Sequence, residues 1–191
     1  MMPTSDTKAV PAATTAAAIA ALYAAVAAPV IAYSDMGAEA LAASVVLGGG
    51  LALASAIDLR TFRLPDAITL TLAAAGLALA WLLQWEPSLL WRASAAVGGY
   101  TFIRAIDLAY KFVRGRNGIG QGDAKLFAVA GAWLGPEGLP TTLLYACAAA
   151  LLFVAACQLS GRPMTAAHRI AFGPFLGLGI WLVWIWGPIT P

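Results

Sequence analysis

The chain has 191 residues, of which 61% are hydrophobic and only 10% are charged, and its formal net charge is +2. Charged residues make up about a quarter of an ordinary globular protein, so this composition excludes a soluble domain built around one apolar core. With a mean hydropathy of +0.82, the chain is expected to have a lipid bilayer as its solvent, and nothing in its charge pattern favours a nucleic acid partner.

A helix that crosses a bilayer needs about 20 largely apolar residues, and the chain contains about seven runs of this kind. We therefore predict an all-α fold, a polytopic transmembrane helical bundle of about seven spans. The fifth run is short and would reach across only with the glycine-rich segment before it. In chain order the predicted spans are Thr15–Tyr33, Ala40–Ile57, Ala67–Trp85, Ala93–Tyr110, Ala124–Leu134, Leu139–Leu159 and Ile170–Trp186.

The first apolar run follows a short polar start, which also fits a signal peptide. Its apolar part exceeds the ~7–15 residues usual for the core of such a peptide, so we expect it to be retained as a helix. Residues 1–14 are then a mobile cytoplasmic N-terminus, and residues 15–191 form a single membrane-embedded domain.

Basic residues are distributed unequally between the two sides of the predicted bundle. If the spans alternate, Arg104 lies inside the fourth span, Arg92 lies alone on one side, and the other nine Lys and Arg residues share the opposite side. All seven tryptophans lie on or toward the side of Arg92. Cations are retained in the cytoplasm and indoles prefer the headgroup level, so both signals predict a cytoplasmic N-terminus in a multi-pass protein of the inner membrane.

Two acidic residues border predicted spans at the same membrane face. Asp58 ends the second span and Asp123 begins the fifth, and the two crossings between them return the chain to the cytoplasmic side. Carboxylates brought within a few ångströms do not ionise together easily, so one keeps a proton while the other can take a proton from water. Such a pair could hydrolyse a peptide bond without a covalent intermediate. Alternatively, Asp58 is a polar residue that ends a helix beside a cationic loop.

The glycines of GIGQGDAKLF stand directly before Asp123. Gly118, Gly120 and Gly122 permit positive φ and carry no side chain, so an extended peptide could approach the carboxylate closely. The alternative is a simple loop in which Asp123 caps the following helix. The spacing alone fits both interpretations.

Other polar residues near the spans are expected to be structural. Asp66 follows a proline and is predicted to cap the third span. Arg104 and Asp107 are three residues apart and are predicted to form an ion pair within the fourth helix.

The two cysteines of the chain, Cys147 and Cys157, lie ten residues apart in the sixth span, about 15 Å along a helix, and cannot bridge each other. We expect them to be apolar packing residues, and we expect no metal site and no cofactor.

Three segments together resemble a known family. AVGGYTFIRAIDLAYKFVRGRNGIGQGDAKLFAVAGAWLG is similar to the signature region of the type IV prepilin peptidases, the GxGD aspartic membrane proteases. IDLRTFRLPDAITL is similar to the family's first-aspartate segment, and RIAFGPFLGLG to its terminal helix. The resemblance covers most of the chain, and the segments occur in the family's order.

The resemblance implies that Asp58 and Asp123 are the catalytic aspartates and that Gly120 and Gly122 are the glycines of GxGD. It also implies an intramembrane aspartic endopeptidase that removes the short leader of a prepilin or pseudopilin at the cytoplasmic face, just before the substrate's hydrophobic helix. Long members of the family also methylate the product and carry a cysteine-rich segment. This sequence contains no CxxC, so methyltransferase activity is not expected.

Two alternatives compete with this interpretation. Presenilin-like and signal-peptide-peptidase enzymes also use GxGD, but they pair it with YD and PAL elements that this sequence lacks. A non-enzymatic membrane protein, such as a transporter or an assembly subunit, could use the two aspartates as a proton relay or a structural pair. A transporter would be expected to show two related halves, which are not seen here. The sequence makes no prediction of oligomeric state or of which pilin is the substrate.

Overall fold

The computed structural model describes residues 21–25, 27–28, 37–115, 118, 120–160 and 170–189. All regular secondary structure in these ranges is helical, as the sequence predicts. Residues 21–25 and 27–28 belong to a first helix, α1. The other helices are α2 (Ala38–Thr61), α3 (Asp66–Leu82), α4 (Leu89–Arg114), α5 (Gln121–Leu134), α6 (Gly138–Leu159) and α7 (Gly173–Trp186).

The second to seventh predicted runs correspond to α2 through α7. Within the described ranges, α2 and α6 are long and apolar enough to cross a membrane, and α3 and α7 are shorter apolar helices. Many large apolar side chains point outward, for example Leu90, Leu151 and Leu152, which are 70–79% exposed. The predicted N-terminus, residues 1–14, and most of the first predicted span lie outside the described residues, so the domain division stays a prediction.

The short helix α5 occupies the centre of the bundle, where it packs against α3, α4, α6 and α7. Most of its residues from Ala124 to Trp133 are buried. The approach to α4 is closest at Gly131, where an added Cβ would lie 2.4 Å from the backbone carbon of Ala95. Small residues let helix backbones approach in this way. Other helices surround α5, so a helix as short as this one can occupy the centre of the bundle.

Helices α2 and α7 also pack through glycines. An added Cβ at Gly177 of α7 would lie 2.6 Å from the Tyr23 hydroxyl and 3.1 Å from Ser55 Oγ. Gly48 of α2 similarly leaves room for the indole of Trp181. This packing fixes the start of α7 beside the last turn of α2, which carries Asp58.

One buried cation joins α4 to α5 at the end of the bundle opposite Asp58. Arg92 is only 5% exposed, and its guanidinium donates hydrogen bonds to the carbonyl oxygens of Glu86, Pro87 and Trp133. These three hydrogen bonds help to offset the cost of burying the charge. The start of α4 is therefore held against the end of α5.

Tryptophans cluster at this same end. The ring centroids of Trp133 and Trp184 lie 5.5 Å apart, as do those of Trp85 and Trp184. The Trp133 indole N–H also donates to the carbonyl oxygen of Leu72, at 2.7 Å. Trp184 thus contacts two other tryptophans that the sequence placed on the same side of the membrane.

Candidate active site

A cavity of about 930 Å³ lies where the end of α2 meets the starts of α5 and α7. Asp58 and Asp123 both line it, although they are 65 residues apart in sequence. The structure therefore brings together the two carboxylates that the order of the spans predicted to share one face. Gly120 and Gly122 line the same cavity.

Asp58 is held by the beginning of α7. Its side chain is buried, and Oδ2 accepts a hydrogen bond of 3.0 Å from the backbone N–H of Gly173, the first residue of that helix. The first N–H groups of a helix have no partner within the helix and carry a partial positive charge, so they stabilise an anion. Asp58 therefore contacts a second helix and is not simply a polar residue at the end of α2.

Gly173 has no room for a side chain. An added Cβ would lie 2.5 Å from Asp58 Oδ2 and 3.1 Å from its Cγ. Gly173 was not predicted from the sequence to belong to the site. The available signal was Pro174, because proline early in a helix marks the end where backbone N–H groups are free.

The chain turns sharply after Asp58. Phe62 ends α2 in the left-handed region, with φ of 51°, and its N–H donates to the Asp58 carbonyl oxygen at 2.8 Å. The turn directs Leu64 against the first turn of α5, where an added Cβ at Gly122 would lie 2.8 Å from Leu64 Cβ. Gly122 therefore allows the segment after Asp58 to approach the helix that carries Asp123.

Asp123 is the third residue of α5, and its side chain is partly buried. The alternative that Asp123 occupies the capping position of this helix is wrong, because Gly120 occupies it; Asp123 lies in the first turn, beside the Gly120 backbone. An added Cβ at Gly120 would lie 3.1 Å from Asp123 Oδ2. The glycine thus leaves the space in which the carboxylate lies.

The glycines before Asp123 do not use the positive φ that glycine permits. Gly120 has φ of −67°, and the described glycines with positive φ are Gly115, Gly135 and Gly187. At Gly120 and Gly122 the absence of a side chain instead leaves space for Asp123 and Leu64. Positive φ occurs at Gly115 and Gly135, where α4 and α5 end.

The predicted Arg104–Asp107 ion pair is confirmed, with 2.9 Å between Nη1 and Oδ2. The other carboxylate oxygen of Asp107 accepts the backbone N–H of Gly118 at 3.0 Å. An added Cβ at Gly118 would also lie 2.5 Å from the Tyr110 ring. The sequence predicted only the ion pair within α4, whereas the structure shows that Asp107 also connects Gly118 to that helix.

Asp66 does not cap α3. Pro65 occupies the capping position without a side-chain hydrogen bond, and the Asp66 carboxylate instead forms an ion pair with the Lys125 ammonium. Asp66 is 65% exposed, and Lys125 also lines the cavity. The pair connects the start of α3 to the first turn of α5, so Asp66 remains structural but by a different contact.

The two cysteines are free. Cys157 is partly buried, whereas Cys147 is exposed and lines the cavity, so the expectation that both are packing residues is wrong for Cys147. In the ranges described, no group of three or more His, Cys, Asp or Glu residues could hold a metal ion.

The described geometry supports acid–base chemistry on a peptide. Two carboxylates from different helices face one cavity, which is wide enough to admit a chain segment and is bordered by glycine backbone. The remaining wall combines the polar side chains of Arg63, Gln121 and Lys125 with apolar side chains of α4, α6, α7 and the segments beside α2 and α7. A carboxylate pair in such a setting can supply both a proton donor and a proton acceptor.

Comparison with known proteins gives a specific match. The model of the type IV leader peptidase family matches residues 45–155, more than half of the chain, and this range includes Asp58 and Asp123. No solved structure gives a significant match.

Three curated relatives are each named prepilin leader peptidase/N-methyltransferase. The protein of Burkholderia pseudomallei (strain 1026b) is 42% identical over 142 residues, which cover 73% of this chain and 44% of the relative. That of Aeromonas salmonicida (strain A449) is 34% identical over 145 residues, or 76% and 49% of the two chains. That of Xanthomonas campestris pv. campestris is 36% identical over 148 residues, or 75% and 50%. The chain thus spans about half the length of the curated relatives it matches.

Proposed function

Because this chain belongs to the type IV leader peptidase family, we propose that it is an aspartic endopeptidase that removes the leader of a type IV prepilin or pseudopilin. Asp58 and Asp123 are the two catalytic carboxylates of this proposal. The observation that carries it is their convergence, from different helices, on one cavity bordered by Gly120 and Gly122. The curated relatives carry the peptidase in their names.

Hydrolysis proceeds with water as the nucleophile. One carboxylate takes a proton from the water as its oxygen attacks the carbonyl carbon of the scissile bond, and the other, protonated, donates a hydrogen bond to the carbonyl oxygen. The tetrahedral intermediate then collapses, the C–N bond breaks, and a proton passes to the leaving amine. The carboxylates return to their initial state with one proton between them, so no cofactor is required.

The hydrogen bonds of the two carboxylates suggest which residue takes which part. Asp58 accepts the Gly173 N–H at the start of α7, and this helix end stabilises negative charge on the acceptor. We assign Asp58 as the base that activates water. Asp123 also lies in the first turn of a helix, α5, but neighbouring carboxylates do not ionise together easily, so it is assigned as the proton donor.

We place the active site at the cytoplasmic face of a multi-pass inner-membrane protein with about seven spans. The basic residues Arg60, Lys111 and Arg114 lie in the last turns of α2 and α4, at the end of the bundle that carries the carboxylates. The clustered tryptophans lie at the other end. Both features support a cytoplasmic N-terminus. The peptidase activity alone is proposed, and the absence of methyltransferase activity stays a prediction.

A non-enzymatic proton relay is the weaker alternative. It would also use two acidic residues, but it gives no reason for glycine backbone beside them or for a cavity of this size. The family match and the names of the relatives favour the peptidase.

The experiment that tests the proposal is leader removal in cells. The chain is expressed with a type IV prepilin, and the shorter product is followed by its gel shift. Asp58→Asn and Asp123→Asn are each expected to abolish processing while protein levels hold. Glu39→Gln is the matched control, because Glu39 is an exposed acidic residue in the first turn of the helix that carries Asp58. Near wild-type processing by either aspartate variant would show that the assignment is wrong.

A further inference from the structure

Part of the wall of the cavity is formed by the two helices α4 and α6. Near the tryptophan end, α4 and α6 approach each other, since an added Cβ at Gly99 would lie 3.5 Å from Leu139 Cδ2. Both helices then run toward the carboxylate end. Over the next one to two turns, about 6–12 Å along each axis, the cavity lies between them. Elsewhere in the described ranges they have little direct contact, because each packs mainly against other helices.

The side chains that α4 and α6 contribute to the cavity are apolar. Ile103 and Ile106 of α4 and Leu143 and Cys147 of α6 line the cavity, and we call these four residues the α4–α6 cleft. Ile106 is 40% exposed and Cys147 is also exposed. The cleft therefore has an open side toward the surroundings of the bundle, while its inner side reaches Asp58 and Asp123.

We propose that the α4–α6 cleft receives the apolar helix of the substrate from the bilayer and places the residues before that helix against the carboxylates. This inference rests on the proposed function. The occupant is a helix because a peptide between apolar walls at membrane depth must satisfy its backbone hydrogen bonds internally. The preceding residues can be extended, because the glycine backbone and the carboxylates provide a polar lining at the inner end of the cleft.

Continuity of the two surfaces selects the substrate helix over a lipid chain. The cleft and the carboxylates are parts of one cavity, so a chain that is apolar in the cleft and polar at its inner end matches the whole lining. A lipid chain matches the apolar half alone. The cleft thus holds the apolar helix of the substrate and also determines which peptide bond reaches the carboxylates.

Cys147 provides a direct test, because it is a native residue of the cleft and Cys157 is a matched control in the same helix. The Asp123→Asn variant is used to hold uncleaved substrate, in a Cys157→Ala background that leaves Cys147 as the single cysteine. A type IV prepilin carries one cysteine at successive positions of its helix, and a short bismaleimide is added to the membranes. We expect crosslinks to Cys147 that recur every three to four substrate positions. The same Asp123→Asn protein with Cys147→Ala and native Cys157 should give none.

A second measurement separates binding in the cleft from catalysis. Ile106→Trp should raise KM for the full prepilin about tenfold or more, with little change for a short peptide that spans the cleavage site and lacks the helix. Phe102→Trp is the control, because Phe102 lies on α4 and is exposed outside the lining of the cavity.

The outcomes distinguish the two proposals. If the short peptide is cut but crosslinks to Cys147 are absent or are matched by Cys157, the cleft proposal is wrong and the peptidase proposal stands. Crosslinks that a saturating lipid analogue removes without changing prepilin processing would assign the cleft to lipid and also overturn it. If neither the peptide nor the prepilin is cut by the wild-type chain, the proposed function itself is wrong.

Discussion

Replacement of Gly173 by alanine tests whether the start of α7 positions Asp58. The added Cβ would lie 2.5 Å from Asp58 Oδ2, whereas ordinary contact begins at 3.4 Å, so one of the two groups must move by about 0.9 Å. A displacement of about 1 Å in a catalytic arrangement can cost about 100-fold in rate. We therefore expect Gly173→Ala to lower kcat/KM for prepilin processing by about 100-fold while the protein still accumulates in the membrane.

The assay is processing of purified prepilin in detergent or vesicles, with the amount of folded enzyme measured separately. Gly49→Ala is the control, because Gly49 lies in α2 and a Cβ there meets nothing within 4 Å. That variant should process normally, since alanine is a better helix former than glycine by about 1 kcal/mol. Wild-type kcat/KM in folded Gly173→Ala would refute the argument that this contact fixes the position of Asp58.

Three further predictions concern the surroundings of the site. Asp107→Ala should lower kcat/KM about tenfold or more, because the Gly118 N–H loses its acceptor. Asp107→Asn retains an accepting oxygen and should keep most activity, so equal losses of kcat/KM in the two variants would contradict this explanation. Asp66→Asn should keep most activity and lose at most about 1 kcal/mol in thermal unfolding, because its ion pair with Lys125 is largely exposed on the Asp66 side; a folded but inactive variant would place Asp66 in the site. Treatment with EDTA should leave processing unchanged, and activity lost to the chelator and restored by zinc would argue against an aspartic mechanism.

The helices and the meeting of the two aspartates were predictable because both follow from simple constraints. The length of an apolar run determines where a helix is expected, and the six runs from Ala40 onward correspond to α2 through α7. Counting the crossings between Asp58 and Asp123 then placed both at one face, and the cavity contains both. Neither step required knowledge of how side chains pack.

The supporting contacts were not predictable, because they depend on packing between distant segments. The bond from Gly173 to Asp58 joins residues 115 positions apart, and no local pattern indicates that α7 begins beside α2. Asp66 had the right position to cap α3, but an ion pair with Lys125 was formed in its place. The sequence indicated only that the glycines before Asp123 permit positive φ and close approach, whereas the neighbour that needs the absent side chain at Gly122, Leu64, is determined by packing.

The contacts of Arg92 limit which residues can be substituted at the end of the bundle opposite the carboxylates. Its three hydrogen bonds end on main-chain oxygens, so the side chains at positions 86, 87 and 133 can be exchanged without removing the acceptors. Position 92 has no such freedom, because a lysine ammonium lacks the planar fork of donors that reaches several carbonyls at once. This joint between α4 and α5 therefore depends on one irreplaceable side chain and on the course of the backbone around it.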